Sequence, residues 1–86
     1  MKNAVWKFEL HPDTPIKLPK DAKVLKIGTQ YGSPILWALV DTDELLEERL
    51  FTVVGTGWVV SDLETAKYHG TFMLEDGALV FHVFER

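Results

Sequence analysis

The chain has 86 residues, of which 47% are hydrophobic and 12% aromatic, and it carries a formal net charge of −4. This length corresponds to one domain, and the apolar content is sufficient for a packed core, which excludes a disordered tail. The chain contains no cysteine, and this excludes a disulfide framework, a thiolate zinc site and a cysteine nucleophile.

Three features of the sequence predict a cytoplasmic protein without membrane association. Small secreted domains usually depend on disulfides, so a chain without cysteine is expected in a reducing compartment. The longest apolar run, Ile35 to Val40, is far shorter than the ~20 residues that span a bilayer. The first residues, Met1 to Lys7, also lack the apolar stretch of a signal peptide.

Charge is distributed unevenly along the chain. Residues 1–26 contain six lysines and three acidic residues, a balance of +3, whereas residues 27–86 have a balance of −7. An acidic domain is poorly suited to direct nucleic-acid binding, because non-specific affinity comes from the neutralisation of phosphates. The lysines either point to solvent from outward strand positions or form one local basic patch.

Alternating apolar positions predict four strands in the first half of the chain. Turns that contain proline separate the early strands, because proline lacks the amide donor that a ladder needs. A hairpin turn at Gln30–Ser33 precedes a strand that is apolar on both faces, which is typical of a central strand covered on both sides. The predicted strands are Val5–Leu10, Ile16–Leu18, Val24–Thr29 and Pro34–Asp41.

The second half predicts three further strands and at most one short helix. The acidic segment Thr42–Glu48 has no helical stripe and is interpreted as a loop. Ser61-Asp62-Leu63-Glu64 matches a capping box and predicts a helix over Asp62–Lys67, and Asp76-Gly77 predicts a hairpin. The predicted strands are Leu50–Val54, Tyr68–Leu74 and Ala78–Glu85.

The spacing of these strands predicts one β-rich domain over residues 1–86. Six or seven short strands with at most one short helix are typical of an all-β or β-rich α+β fold. We therefore expect a small antiparallel sandwich or a partly closed barrel.

Gly55-Thr56-Gly57, followed by Trp58, is the first candidate for ligand binding. Glycines let a backbone approach a phosphate, and a tryptophan at a loop edge can stack on a base or anchor a protein partner. The motif lacks the lysine and the following helix of a nucleotide-binding loop, so a tight turn with positive φ at glycine is the competing interpretation. The candidate phosphate ligands are Lys23, Lys26 and Arg49, and the candidate stacking residues are Tyr31 and Trp58.

The acidic segment is the second candidate surface. Its carboxylates are expected in one solvated loop, without an apolar environment that would raise a pKa, so they do not resemble the paired carboxylates of an acid–base catalyst. They are candidates for contact with a protein partner, in which they would imitate the charge of nucleic acid. Arg49 is expected to pair with Glu47 or Glu48, or alternatively to bind a phosphate or carboxylate ligand. The candidate partner-binding residues are Asp41, Asp43, Glu44, Glu47 and Glu48.

The sequence contains no signature of catalysis or metal binding. His11, His69 and His82 do not fall at the spacing of metal ligands, and His82 is expected to be half-buried and bonded to a backbone group. Ser33 lies in a turn and Ser61 is assigned to the cap, and neither lies in a nucleophile motif. We therefore predict a protein that is not an enzyme, with no catalytic residues, metal or cofactor.

Several segments resemble a group of short proteins encoded by bacteriophages and prophages, and the resemblance covers most of the chain. Its members often carry a histidine after Gly-Thr-Gly, where this chain has Trp58, which argues against a histidine-based role there. The resemblance implies a context and no activity, since small phage accessory proteins often bind or block host factors or immune signals. The segments are Leu36–Asp41, Glu48–Phe51, Gly55–Gly57, Gly70–Thr71 and Leu79–Glu85.

These observations predict a phage-type accessory binding protein that acts in the host cell cytoplasm, in a counter-defence role. It would either sequester a small nucleotide signal or block a host defence protein. A homo-oligomer is expected, because a small sheet leaves strand edges open. The alternatives are a structural or virion-associated module and a small enzyme, and the enzyme would need His82, Arg49 and a carboxylate gathered in one pocket.

Overall fold

The structure is a computed structural model that describes residues 2–86, which form eight strands and two short 3-10 helices. Strands contain 61% of the residues and helical turns 7%, so the predicted all-β fold class is confirmed. The strands are β1 (Asn3–Glu9), β2 (Ile16–Pro19), β3 (Lys23–Gln30), β4 (Ser33–Asp41), β5 (Leu46–Arg49), β6 (Phe51–Gly55), β7 (Lys67–Leu74) and β8 (Leu79–Glu85).

The strands form three antiparallel sheets. The first sheet has the order β1-β4-β3, the second sheet has the order β6-β8-β7, and β2 and β5 form a two-stranded ribbon. Within residues 2–86 the sheets do not close into a barrel. Buried residues from both sheets and the ribbon form one apolar cluster, so the architecture is a small sandwich with the ribbon at its margin.

The centre of the core lies between β4 and the second sheet. Leu36 and Ala38 on β4 are 0% exposed, as are Phe51 on β6 and Val83 on β8, and each large apolar side chain contributes ~1.5–3 kcal/mol by this burial. The opposite face of β4 is less covered, since Leu39 is 37% exposed. β4 is therefore central, as predicted, but only its inner face is fully covered.

The two sheets approach most closely where β3 passes β7. A Cβ atom added to Gly70 would lie 3.0 Å from Cβ of Ile27, and Gly70 follows a register shift in β7. Glycine is required there because any side chain would push the two strands apart.

Both predicted hairpins are confirmed. In the turn between β3 and β4, Tyr31 and Gly32 have φ of 52° and 77°, and two positive φ values give the twist that suits a two-residue hairpin. In the turn between β7 and β8, Asp76 and Gly77 have φ of 54° and 92°. Both turns could be predicted because each is specified by residues that are adjacent in the sequence.

Two sequence interpretations are corrected. The segment Thr42–Glu48 is not all loop, because its second half belongs to β5, which pairs with β2. The fold therefore has one strand more than the seven predicted. The helix predicted over Asp62–Lys67 is a 3-10 helix of three residues, Leu63–Thr65. It has no side-chain cap, since Asp62 adopts φ of 63° at its start, so the capping box does not form.

Candidate functional site

The outer face of the first sheet, turned away from the core, has Trp37 at its centre. Trp37 on β4 lies opposite Lys7 on β1 and opposite Lys26 on β3. Side chains of directly opposed residues project from the same side of a sheet, so the indole has a lysine on each side. We call the surface formed by Lys7, Lys23, Lys26 and Trp37 the basic face.

A β-bulge brings the two lysines of β3 to this face. Lys23 and Lys26 are three residues apart, so strict alternation would send them to opposite faces. The register shifts between Val24 and Lys26, and the extra residue, Leu25, restores both lysines to the outer side. The same shift leaves Ile27, which is 5% exposed, in the core.

Glycine makes room for the tryptophan ring. A Cβ atom added to Gly28 would lie 3.3 Å from Cζ3 of Trp37 and 3.8 Å from Cε of Lys26. The six-membered part of the indole therefore reaches from β4 across to β3, and the Lys26 side chain runs beside it. The ring is half-buried and remains accessible from the solvent side of the sheet.

Lys7 extends along the face towards the hairpin turn. Its Nζ atom donates a hydrogen bond of 2.5 Å to Oε1 of Gln30, beside Tyr31, whose side chain is 97% exposed. Lys7 and Tyr31 line one small cavity together with Glu9, Gln30, Ser33 and Ile35. The predicted stacking residue Tyr31 thus lies at the same end of the face as the ammonium of Lys7.

Lys23 lies at the other end of the face, where acidic residues are close. It lines a cavity with Lys20 and three carboxylate side chains, those of Asp21, Asp41 and Glu44. Two of the predicted partner-binding residues therefore lie beside a predicted phosphate ligand and reduce its positive potential. The positive charge is least opposed at the centre of the face.

The five acidic candidates do not all lie on one surface. Asp41 accepts a hydrogen bond of 3.0 Å from the backbone amide of Asp43, which holds the turn after β4. Glu47 accepts one of 3.3 Å from the amide of Asp21. Glu48 is adjacent to Glu47 on β5 and lies opposite Lys17, so the two glutamates project from opposite faces of the ribbon.

The Gly55–Trp58 turn lies at the end of β6, in the second sheet. The amide of Thr56 donates to the Val80 carbonyl (3.2 Å) and that of Trp58 to the Gly55 carbonyl (3.1 Å), so these donors are not available to a phosphate. Among the described residues, none that lines the adjacent cavity is charged. The turn is not associated with Lys23 or Lys26, and its geometry agrees with the tight-turn interpretation, with φ of 87° at Gly57.

Trp58 packs at the edge of the core and is still 62% exposed. A Cβ atom on Gly55 would lie 2.5 Å from Cε2 of its indole, so the ring occupies the space that glycine leaves. The ring also meets Phe81 edge-on at 6.1 Å. Trp58 therefore continues an aromatic row that includes Phe72, stacked on Phe81 at 5.4 Å.

Arg49 is paired with Glu85, and the predicted pairing with Glu47 or Glu48 is wrong. Its Nε and Nη2 atoms donate to the two carboxylate oxygens of Glu85 at 2.6 Å and 2.8 Å, and its Nη1 donates to the carbonyl of Ala22 at 2.6 Å. The hydrogen bonds from Arg49 hold the pKa of Glu85 below its usual value, and the same contact raises the pKa of Arg49. Because the guanidinium of Arg49 binds Glu85 and the Ala22 carbonyl, it is not part of the basic face.

His82 is half-buried, as predicted, but its partners are side chains. Its Nε2 atom lies 2.7 Å from Oγ1 of Thr56, and its Nδ1 atom lies 2.9 Å from Oγ1 of Thr71, which lies 2.5 Å from the hydroxyl of Tyr68. Glu85 is three residues along the same strand and therefore projects from the opposite face. His82, Arg49 and a carboxylate are not gathered in one pocket, and the condition for an enzyme is not met by this cluster.

Residues 2–86 contain no group of three or more histidine, aspartate or glutamate side chains that could hold a metal ion. Over the same range, no helix has the length and apolar character needed to cross a membrane.

Sequence reasoning included Lys23, Lys26 and Tyr31 in the candidate site but omitted Trp37 and Lys7. Trp37 was assigned to a covered face of β4, because the strand is apolar on both sides. Alternation in the first strand does predict that Lys7, which is adjacent to the inward-pointing Phe8, projects from the outer face. Only the pairing of β1 with β4 shows that Lys7 and Trp37 are opposite each other.

Fold and site together define a small all-β domain with an open sheet face on which lysines surround a tryptophan. The chain belongs to a family described as Domain of unknown function (DUF7352), whose model matches residues 1–86. No curated protein and no solved structure matches it. The family description names no activity, ligand or host, so the phage context and the counter-defence role stay predictions.

Proposed function

We propose that this chain is a non-enzymatic binding protein whose basic face holds a ligand of the nucleotide class. The observation that carries this proposal is the register of the first sheet, in which Trp37 lies between Lys7 and Lys26. A planar ring flanked by two cations suits a ligand that combines an aromatic base with phosphate. A tryptophan or a lysine alone is not specific. A tryptophan that lies between two lysines on three neighbouring strands suits both the base and the phosphate of such a ligand.

The expected contacts follow from the chemistry of these side chains. A base that stacks on an aromatic side chain gains roughly 1–3 kcal/mol, whichever base it is. Each lysine supplies a flexible ammonium with three donors, which binds phosphate as a point charge. Tyr31, at the hairpin turn, is a second ring that a base can reach.

In the host cell, such a domain would act as the phage-type accessory protein that the sequence resemblance implies. Binding a ligand of the nucleotide class is the version that the basic face supports. Blocking a host defence protein through the acidic segment has less support, because Glu47 and Glu48 project from opposite faces and Asp41 and Glu44 lie beside lysines. The edge of β1 that faces away from β4 has no partner strand among residues 2–86, which supports the proposed homo-oligomer.

Calorimetric titration with AMP, ADP-ribose, cyclic dinucleotides and oligothymidylates tests the proposal. At least one of these ligands is expected to bind, and Trp37→Leu is expected to weaken its binding by roughly 5- to 150-fold, the equivalent of one stacked base. Trp58→Leu is the matched control, since it removes an exposed tryptophan from the other sheet and should leave binding unchanged. The proposal fails if no ligand binds, or if Trp58→Leu abolishes binding and Trp37→Leu does not.

A further inference from the structure

We infer that the ligand of the basic face is a short single-stranded segment of nucleic acid, and not a free nucleotide. This inference rests on the proposed function and specifies the ligand of the same site. Three properties of the face carry it: its length, the placement of its cations and its openness.

The two rings of the face are too far apart for one nucleotide. β4 begins at Ser33, directly after the turn that carries Tyr31, and Trp37 lies four residues further along the strand. At ~3.3 Å per residue in a strand, Ser33 and Trp37 are ~13 Å apart along the backbone, and the edge of the indole, which lies at Gly28 opposite Ile35, is still about two residues from the start of β4. Stacked nucleotides rise ~3.4 Å each, so a ligand that reaches both rings has about two to four of them.

The cations are distributed over the same length. The ammonium of Lys7 lies at Gln30, near Tyr31, Lys26 lies beside Trp37 and Gly28, and Lys23 follows at the far end, opposite Leu39. Charges placed at intervals along a face suit a ligand whose own charges repeat. A mononucleotide carries its phosphate at one position and would use one lysine.

The face is open in a way that disfavours a small ligand. Pockets for small molecules enclose most of the ligand surface, whereas Tyr31 is 97% exposed and Lys7, Lys23 and Lys26 are all exposed. Flat sheets that present aromatic rings between cations are a recurrent way to hold unpaired bases. Duplex bases are stacked on each other and are not available to Trp37, so the ligand is single-stranded.

The net charge of −4 limits this ligand without excluding it. Acidic side chains lie at both ends of the face, with Glu9 near the turn and Asp21, Asp41 and Glu44 around Lys23. At the centre, Lys26 lies opposite Trp37, whose neighbours on the outer face of β4 are the apolar Ile35 and Leu39. The segment is therefore short, and it neutralises about two or three phosphates, far fewer than a basic protein would.

Fluorescence anisotropy with a labelled octathymidylate, competed by TMP, tetrathymidylate, a cyclic dinucleotide and a DNA duplex, tests the inference. The octamer is expected to bind at least ten times more tightly than TMP, the cyclic dinucleotide or the duplex. The slope of log affinity against log salt is expected near −0.7 for each phosphate neutralised, which gives about −1.4 to −2.1. Lys7→Gln and Lys26→Gln should each make that slope less steep by about 0.7, and the exposed Lys17→Gln on the ribbon is the control without effect.

Tyr31→Ala separates the polymeric ligand from the small one. It should weaken octamer binding several-fold and leave TMP binding unchanged, because only a ligand that spans the face reaches both rings. Circular dichroism and thermal melting verify folding, and all these substitutions lie at exposed side chains. If TMP, the cyclic dinucleotide or the duplex binds as tightly as the octamer, the inference is overturned while the proposed function stands. If nothing binds, both fail.

Discussion

Arg49 and Glu85 form a two-pronged ion pair that joins the ribbon to the second sheet. The contacts measure 2.6 Å and 2.8 Å, and the two side chains are 16% and 17% exposed. His69, with a side chain 4% exposed, adds a hydrogen bond of 2.8 Å to the same carboxylate. The carboxylate of Glu85, on β8, therefore binds residues of both β5 and β7 at the margin of the core.

Breaking this pair from one side should destabilise the fold. Arg49→Met leaves Glu85 with His69 alone and is expected to lower the free energy of unfolding by about 2 kcal/mol, since removing one member of a desolvated pair strands the other. Urea denaturation at neutral pH measures the loss. The double variant Arg49→Met/Glu85→Gln should recover at least half of it, because no charge is then left unpaired and an amide still offers His69 a hydrogen-bond partner. A double variant that is as unstable as the two single losses added together would contradict this explanation.

The same pair predicts how stability depends on pH. The pKa of Glu85 is lowered from 4.5, first by the hydrogen bonds from Arg49, so the unfolded chain binds this proton more readily than the folded one. Its contribution is complete above about pH 4.5 and is lost as the pH falls through the lower folded pKa. Urea midpoints measured from neutral to acid pH should fall more for the wild type than for Glu85→Gln, and equal falls below pH 4.5 would refute the assignment.

Gly70 should not tolerate a methyl group. Gly70→Ala places a Cβ atom 3.0 Å from Cβ of Ile27, and crowding of this kind costs about 1–3 kcal/mol. Ile27→Ala removes Cγ1, which would lie 3.1 Å from the added Cβ atom, so the double variant should lose less stability than the sum of the two single variants. Thermal melting of the four proteins measures the coupling, and strict additivity would show that the strands separate without strain.

Gly55 and Gly57 are required for different reasons, which two alanine substitutions distinguish. Gly55→Ala would collide with the indole of Trp58 at 2.5 Å and should displace it, so the tryptophan emission shifts. Gly57 has φ of 87° and nothing within 4 Å of its added Cβ, so Gly57→Ala should cost only about 1 kcal/mol of backbone strain and leave emission unchanged. An equal spectral change in both variants would contradict this distinction.

The hydrogen bonds around His82 predict its tautomer. The hydroxyl of Thr56 has the Val80 carbonyl within 3.4 Å as an acceptor, so its oxygen accepts from Nε2–H of neutral His82. Nδ1 then accepts from the hydroxyl of Thr71, whose oxygen accepts from Tyr68. Nitrogen-15 chemical shifts of the His82 ring should identify the Nε2–H form. Thr56→Val should shift the equilibrium towards the Nδ1–H tautomer. An Nδ1–H form in the wild type would show that the hydrogen bonds run in the opposite direction.

Local signals account for the features of the fold that were predicted correctly. Gly32 and Gly77 identified both hairpin turns, and alternation, together with two runs that are apolar on both faces, identified seven of the eight strands. β5 was missed because Glu47, Glu48 and Arg49 give it no apolar alternation, and its strand conformation comes from pairing with β2. The helix after Ser61 was overpredicted because Asp62 adopts a left-handed conformation that the capping pattern does not reveal.

The basic face illustrates the division between sequence and tertiary structure most clearly. Composition and alternation alone determine an all-β domain, a lysine-rich N-terminal part and the outward direction of Lys7, because these depend on neighbours within one strand. Which residues meet across strands depends on register, and the bulge at Leu25, which brings Lys23 and Lys26 to one side, has no unambiguous local signal. Only the folded sheet decided that Trp37 lies between lysines and that Arg49 belongs to Glu85, because both contacts join residues far apart in the chain.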